Sequence, residues 1–97
     1  MYTIIWEFRP APQREAEFVA TYTADGAWVK LFCRGAGYLG TELSPIAGRW
    51  YRTIDQWASE EDYRLFRRQF AGEYDALDRD CEALTMQERE VTTSASP

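Results

Sequence analysis

Three side chains in the middle of the sequence, Thr53, Trp57 and Tyr63, carry groups that can act on a ligand. A threonine hydroxyl and a phenol can donate and accept hydrogen bonds, whereas an indole N–H only donates. Donors that converge on one point can hold a ligand oxygen and stabilise negative charge that develops on it. The residues therefore indicate orientation and activation of a small oxygen-containing molecule. Trp57 and Tyr63 also fit a structural role, as core residues that join a strand to a helix.

The surrounding sequence predicts a strand that runs directly into a capped helix. Residues 49–57 are predicted to form the third strand of the chain, with side chains alternating between its two faces. Ser59 is a favoured N-cap, because its hydroxyl can accept a backbone N–H of the first helical turn. The acidic residues 60–62 then place negative charge at the positive end of the helix dipole. This junction positions Trp57 where strand meets helix and Tyr63 on the first turns.

The same segment carries a family resemblance. Residues 56–63, with the pattern Gln-Trp-x-Ser-Glu-x-x-Tyr, resemble the core of the antibiotic biosynthesis monooxygenase family. Residues 37–40 (Gly-Tyr-Leu-Gly) resemble the family's stretch before its second strand, and residues 2–9 fit its first strand. The resemblance runs in order over residues 2–93. It implies a dimeric α/β barrel.

The resemblance also implies a function. In the family's quinone-forming oxygenases, which use no cofactor, an asparagine lies four residues before the tryptophan and a tyrosine six residues after it. Trp57 and Tyr63 match that spacing, whereas Thr53 stands at the asparagine position and lacks the two N–H donors of an amide. The implied function is a cofactor-independent monooxygenase that acts on an aromatic or polyketide-like phenol, with Thr53, Trp57 and Tyr63 as catalytic residues. The alternative is a non-catalytic module of the same fold that binds a small molecule or a partner.

Further aromatic side chains are candidates for the walls of such a pocket. Tyr51 shares its strand face with Thr53 and Trp57, because side chains alternate along a strand. The predicted substrate-binding residues are Trp6, Tyr51 and Phe66. Each of them also fits core packing, since large rings dominate the cores of small domains.

The sequence contains no histidine. This removes the usual general base near neutral pH, the commonest metal ligand, and any Ser-His or Cys-His nucleophile pair. No glycine-rich phosphate loop follows a strand, so a dinucleotide is not expected either. We therefore predict neither a metal nor a cofactor. Haem-degrading members of the family ligate iron through a histidine, so that activity is not expected here.

The net charge and the hydropathy of the sequence argue against several classes of binding partner. The formal net charge is −5, which argues against nucleic acid and anionic membrane surfaces. No apolar run approaches the roughly 18 residues that a membrane-spanning helix needs. The N-terminus lacks the charged-then-apolar pattern of a secretory signal. We expect a cytoplasmic protein whose partner is a small aromatic molecule.

Hydrophobic periodicity predicts the element order β-α-β-β-α-β, with the first helix interrupted at Asp25-Gly26 and the second at Gly72. This order is typical of an α+β, ferredoxin-like fold, in which helices cover one face of an antiparallel sheet. The strands carry Trp, Tyr and Ile, so the other face needs cover as well. We therefore predict a homodimer packed sheet to sheet.

The length of 97 residues indicates one domain, assigned to residues 1–93, with a last strand over residues 88–93. The small polar residues 94–97 predict a disordered tail. Cys33 and Cys81 fall in helix-like segments, which indicates two buried, reduced thiols rather than a disulfide.

Overall fold

The computed structural model describes the backbone of residues 1–95 and the side chains through Val91. The strands are β1 (Tyr2–Pro10), β2 (Tyr38–Pro45), β3 (Tyr51–Trp57) and β4 (Thr85–Ala95). The helices are α1 (Glu15–Tyr22), α2 (Ala27–Phe32), α3 (Glu60–Gln69) and α4 (Ala71–Cys81). The antiparallel sheet has the order β2-β3-β1-β4, and the helices pack on one of its faces. This arrangement confirms the predicted α+β, ferredoxin-like fold.

Both predicted helices are divided into two. The first division follows α1 and ends at Gly26, as predicted; a Cβ on Gly26 would collide with the backbone of Thr21, so the tight turn requires glycine. The second division lies at Phe70 rather than at the predicted Gly72, which stands in the first turn of α4.

The junction between β3 and α3 forms as predicted. The Ser59 hydroxyl accepts a 3.1 Å hydrogen bond from the backbone N–H of Asp62. On the other side of the junction, Gly37 adopts a φ of +87°, which favours glycine, and its carbonyl accepts a hydrogen bond from the N–H of Ala58. The start of α3 is thereby fixed against the start of β2.

The core between the sheet and the helices is built mainly of aromatic rings. Phe18, Trp57 and Phe66 are at most 1% exposed. The ring centroids of Trp57 and Phe66 are 5.0 Å apart, and Phe32 meets Trp57 edge-on at 5.9 Å. Such rings bury more surface per residue than aliphatic side chains, which suits a chain of this length.

The opposite face of the sheet is more polar than predicted. The Tyr and Trp side chains at Tyr2, Tyr51 and Trp57 pack towards the helices. The other face carries the cross-strand pair Ile5 and Ile54. It is also the face of Glu7, whose partners are charged rather than apolar.

Glu7 is only 4% exposed, and its carboxylate joins three strands. Arg52 of β3 donates to one carboxylate oxygen at 2.7 and 3.0 Å, and Arg89 of β4 donates to the other at 2.6 and 2.8 Å. These two guanidinium groups hold the pKa of Glu7 below its usual range. Arg89 also lies 4.2 Å from the Trp50 ring centroid, so the ion cluster is continuous with an aromatic side chain.

The last strand is longer than predicted. β4 begins at Thr85 and pairs with β1 as far as Ala95, opposite Tyr2. It therefore extends over residues 94 and 95 of the predicted tail, because pairing with β1 supplies hydrogen bonds that local sequence cannot reveal. Residues 96 and 97, the remainder of that tail, lie outside the described residues.

The two cysteines differ in exposure. Cys81 is buried, as predicted, whereas Cys33 is exposed and the prediction of a buried thiol was wrong. Cys33 follows α2 as its C-cap residue, where the chain turns out of the helix and the side chain leaves the packed stripe.

Candidate active site

A cavity of about 280 Å³ lies between the sheet and the helices, partly open to solvent. Its volume is near the lower end of the range for small-molecule pockets, roughly 300–1,000 Å³. Half of its lining residues are aromatic, and four charged side chains line it as well. The lining residues from the sheet are Ile4, Trp6, Phe8, Thr41, Thr53, Asp55 and Glu88. Those from the helices are Tyr22, Trp28, Phe32, Tyr63, Arg67, Tyr74 and Asp78.

The structure brings three of the six predicted site residues to this cavity. Thr53 lines it from β3, Tyr63 from α3 and Trp6 from β1. Trp57 lies behind the wall, fully buried, with its ring centroid 5.5 Å from that of Tyr63. Its indole N–H has no hydrogen-bond partner among the described residues and is sealed from solvent.

The other two predicted residues also lie outside the cavity. Phe66 is 1% exposed and packs on Trp57 in the core. The Tyr51 hydroxyl donates a 2.6 Å hydrogen bond to Glu15, which fastens β3 to α1.

Asp55 is a site residue that is not among the predicted catalytic or binding residues, although strand alternation puts it on the same face as Thr53. Its side chain lines the cavity on the same face of β3 as Thr53. Burial raises the pKa of Asp55 to about 6, although a hydrogen bond from Thr41 acts in the opposite direction. Such a carboxylate is ionised at neutral pH and is a stronger base than one in water.

The carboxylate of Asp55 is held from one side only. The Thr41 hydroxyl donates to Oδ1 at 2.7 Å, and no hydrogen bond from the described residues reaches Oδ2. Thr41 in turn lies 2.5 Å from the hydroxyl of Tyr38. Because Thr41 gives its only proton to Asp55, Tyr38 must donate to Thr41.

This chain of hydrogen bonds depends on an irregularity in β2. Residues three apart in a regular strand point to opposite faces. Between Tyr38 and Gly40 the register with β3 shifts by one residue, so Tyr38 lies opposite Trp57 and Thr41 lies opposite Asp55. The β-bulge therefore brings Tyr38 and Thr41 to the same face and leaves Leu39 exposed.

Arg67 of α3 organises the helical wall. Its guanidinium donates a 2.9 Å hydrogen bond to the Tyr63 hydroxyl and lies 3.9 Å from the Tyr74 ring centroid. Since the Tyr63 oxygen accepts from Arg67, the phenolic proton of Tyr63 stays available for a ligand. Burial raises the pKa of Tyr74, which is therefore neutral at physiological pH.

Two further carboxylates, Asp78 and Glu88, line the cavity from α4 and β4. Burial raises the pKa of Glu88, with Asp78 and Glu82 adding to the effect through charge repulsion. With Asp55 they give the lining three acids against the single cation of Arg67.

Within residues 1–95, no three Cys, Asp or Glu side chains come together in a group able to hold a metal ion. No helix in this part of the chain is long and apolar enough to cross a membrane.

Comparison of sequences gives no matching family model and no matching curated protein. Comparison of structures gives clear likenesses. A dimeric ferredoxin-like protein from an uncultured marine organism has a TM-score of 0.75 at 12% identity, over 99% of this chain and 94% of that chain. A variant of SnoaB, a cofactor-independent oxygenase from Streptomyces nogalater, has a TM-score of 0.66 at 19% identity, over 98% of this chain and 94% of that chain.

A candidate antibiotic biosynthesis monooxygenase from Nitrosomonas europaea has a TM-score of 0.69 at 10% identity, over 99% of this chain and 98% of that chain. At such identities the likeness concerns the fold, and function has to be argued from the site. The chain thus shares the ferredoxin-like fold of antibiotic biosynthesis monooxygenase-like proteins, in agreement with the resemblance of residues 56–63.

Proposed function

We propose that the protein is a cofactor-independent monooxygenase that oxidises a small phenolic aromatic molecule in this cavity. The observation that carries the proposal is Asp55, a carboxylate with a pKa of about 6 among aromatic walls. A base of this strength, ionised at neutral pH, suits proton abstraction from an acidic hydroxyl or ring position.

In the proposed reaction the substrate supplies the electrons. Asp55 removes a proton from the phenol, and the electron-rich anion then reduces dioxygen directly. For an anthrone-type substrate the balance is one ring CH₂ plus O₂ giving one ring C=O plus H₂O. The protein has to orient the ring, support the anion and exclude bulk water.

Tyr63 and Thr53 are the proposed donors to the substrate oxygen. The hydrogen bond from Arg67 to the Tyr63 oxygen polarises the phenol and makes its own proton a better donor. Thr53 lines the cavity beside Asp55 on β3 and offers one hydroxyl. These two groups would share the negative charge that remains after the proton has left.

The remaining predicted residues take supporting roles in this proposal. Trp6 forms part of the wall that contacts the substrate ring. Trp57 and Phe66 pack behind Tyr63 and fix the helix that carries it. Tyr51 ties β3 to α1 through Glu15, and so holds the strand that carries Thr53 and Asp55.

A non-catalytic module that binds a small molecule is the second candidate. The charge of the cavity favours it, because three carboxylates and one guanidinium give a lining that opposes build-up of negative charge on a ligand. The single hydroxyl of Thr53 also offers fewer donors than an amide.

We further propose that the protein forms a homodimer through the sheet face that carries Ile5 and Ile54. Within the described residues no helix covers that face, since the helices pack on the other one. The dimeric ferredoxin-like protein of similar fold supports the proposal.

Oxygen consumption with an anthrone-type substrate tests the enzymatic function. Asp55→Asn should lower the rate at least a hundredfold, the usual scale for losing a general base. Asp25→Asn, which changes an exposed aspartate in the turn after α1, is the matched control and should leave the rate unchanged. Thr53→Asn supplies amide donors and should raise the rate.

The binding-module candidate predicts a different pattern. The wild type and Thr53→Asn would then consume no oxygen above the uncatalysed rate with any of a panel of phenols, while the same phenols still quenched the tryptophan fluorescence.

A further inference from the structure

We propose that Tyr38, which lies outside the cavity, is a positioning residue for Asp55 and acts on it through Thr41. The inference rests on the proposed function for its catalytic meaning, since it concerns the base of that reaction. Tyr38 is not among the residues that line the cavity, so it has no contact with a substrate bound there. Its influence passes through two hydrogen bonds.

While Asp55 is ionised, its carboxylate can only accept, and this leaves one direction for these bonds. Thr41 donates to Asp55 Oδ1 at 2.7 Å, and its oxygen lies 2.5 Å from the Tyr38 hydroxyl. Tyr38 therefore donates to Thr41, which prevents the threonine hydroxyl from turning away from the carboxylate. The Oδ1 atom is thereby fixed, and Oδ2 remains the oxygen that can accept a proton from a ligand.

The ring of Tyr38 is itself held in place. It lies 5.2 Å from the Trp57 ring and 5.5 Å from the Phe32 ring, centroid to centroid. The β-bulge in β2 is what puts its hydroxyl and that of Thr41 on the face of Asp55. The packing of the Tyr38 ring, the β-bulge and the two hydrogen bonds therefore all act on the position of the Asp55 carboxylate. Pairing of β2 with β3 alone would need none of these side-chain contacts.

Several other polar or ionisable side chains line the cavity with Asp55 and can affect its titration. Tyr63 and Arg67 line it from α3, Tyr74 and Asp78 from α4, and the carboxylate of Glu88 from β4. Among these groups and the Tyr38–Thr41 pair, Thr41 is the one that donates a hydrogen bond to the carboxylate. Removal of that bond should therefore change the protonation of Asp55 directly.

Carboxyl NMR of the full-length chain tests the proposal without any substrate. Thr41→Val removes the donor and should raise the pKa of Asp55 by about one unit, because the hydrogen bond favours the charged form. Tyr38→Phe keeps the ring and should raise it in the same direction by a smaller amount, whereas Thr41→Ser should restore the wild-type value. Tyr2→Phe and Thr21→Val are the matched controls and should leave it unchanged.

A pH profile of oxygen consumption gives the second measurement. In Tyr38→Phe the acidic limb of kcat/KM should move to higher pH by the same amount as the Asp55 titration. A purely structural role would lower the plateau without moving the limb. If Asp55 titrates in Tyr38→Phe as in the wild type, the inference is overturned, whether or not Thr41→Val moves the titration. If the titration moves but neither the wild type nor any variant consumes oxygen above the uncatalysed rate, the proposed function fails and the positioning role stands.

Discussion

The guanidinium of Arg67 donates a 2.9 Å hydrogen bond to the hydroxyl of Tyr63, one helical turn before it on α3. The same guanidinium lies 3.9 Å from the ring centroid of Tyr74 on α4, so Arg67 links Tyr63 to the neighbouring helix. This relationship turns a tyrosine of the helical stripe into an oriented donor at a cavity wall. Because this role belongs to the hydroxyl and not to the ring, the contribution of Tyr63 to catalysis can be measured separately from its packing.

Tyr63→Phe should lower kcat/KM for the phenolic substrate about tenfold, equivalent to ~1.4 kcal/mol of transition-state stabilisation. The ring contacts with Tyr2 and Trp57 remain, so thermal unfolding should change little. Steady-state oxygen consumption and a melting curve on the same sample measure both effects. A rate equal to that of the wild type would remove Tyr63 from the proposed donors.

Activity should depend on pH through Asp55. Its pKa of about 6 means that the base is protonated and inactive at pH 5 and ionised at pH 7. The rate should therefore rise across that interval with a midpoint near pH 6, and the profile of kcat/KM from pH 4.5 to 8 measures it. A rate independent of pH over this range would contradict a base of this strength.

Asp55→Asn should stabilise the folded protein at pH 7 by about 1–3 kcal/mol while removing activity. The pKa of Asp55 is raised on folding, so the folded state binds its proton more tightly than the unfolded state does. Stability from this group is thus fully present below about pH 4 and is lost as the pH rises through 6. Urea unfolding at pH 4, 5, 6 and 7 should show this fall in the wild type and a flatter profile in Asp55→Asn.

The two thiols should react at different rates. Cys33 is exposed and should be labelled rapidly by Ellman's reagent in the native protein. Cys81 is buried and burial raises the pKa of its thiol, so it should react only after denaturation. Cys33→Ser should abolish the rapid reaction and leave one thiol that reacts only after denaturation. If both thiols of the wild type reacted only after denaturation, Cys33 would have to be covered by a contact that the single chain does not make.

The proposed dimer should appear in sedimentation equilibrium as twice the 11.3 kDa chain mass at micromolar concentration. Ile54→Lys places a charge beside Ile5 on the open sheet face and should shift the equilibrium towards monomer. Leu65→Lys, on the exposed side of α3, is the control and should leave the mass unchanged. A monomeric mass for the wild type at that concentration would contradict the proposed sheet-to-sheet dimer.

The sequence by itself determined the order of elements, the fold class and the junction between β3 and α3. Alternation along strands, the helical stripe and the Ser59 cap are local signals, and they agreed with one another. The family resemblance of residues 56–63 predicted one site for Thr53, Trp57 and Tyr63, and of these Thr53 and Tyr63 line the cavity. The exact divisions of the helices and the length of β4 depended on pairing and packing between distant segments, which local patterns do not encode.

Tertiary structure alone decided which residues form the cavity. Trp57 and Tyr63 look equivalent as amphipathic aromatics, yet the packing of α3 on β3 buries the first and leaves the second at the wall. The raised pKa of Asp55 results from its burial, and its position is held by a hydrogen bond from Thr41 on the neighbouring strand. Regular alternation would have put Tyr38 and Thr41 on opposite faces, and only the β-bulge, a product of strand register, unites them on the face of Asp55.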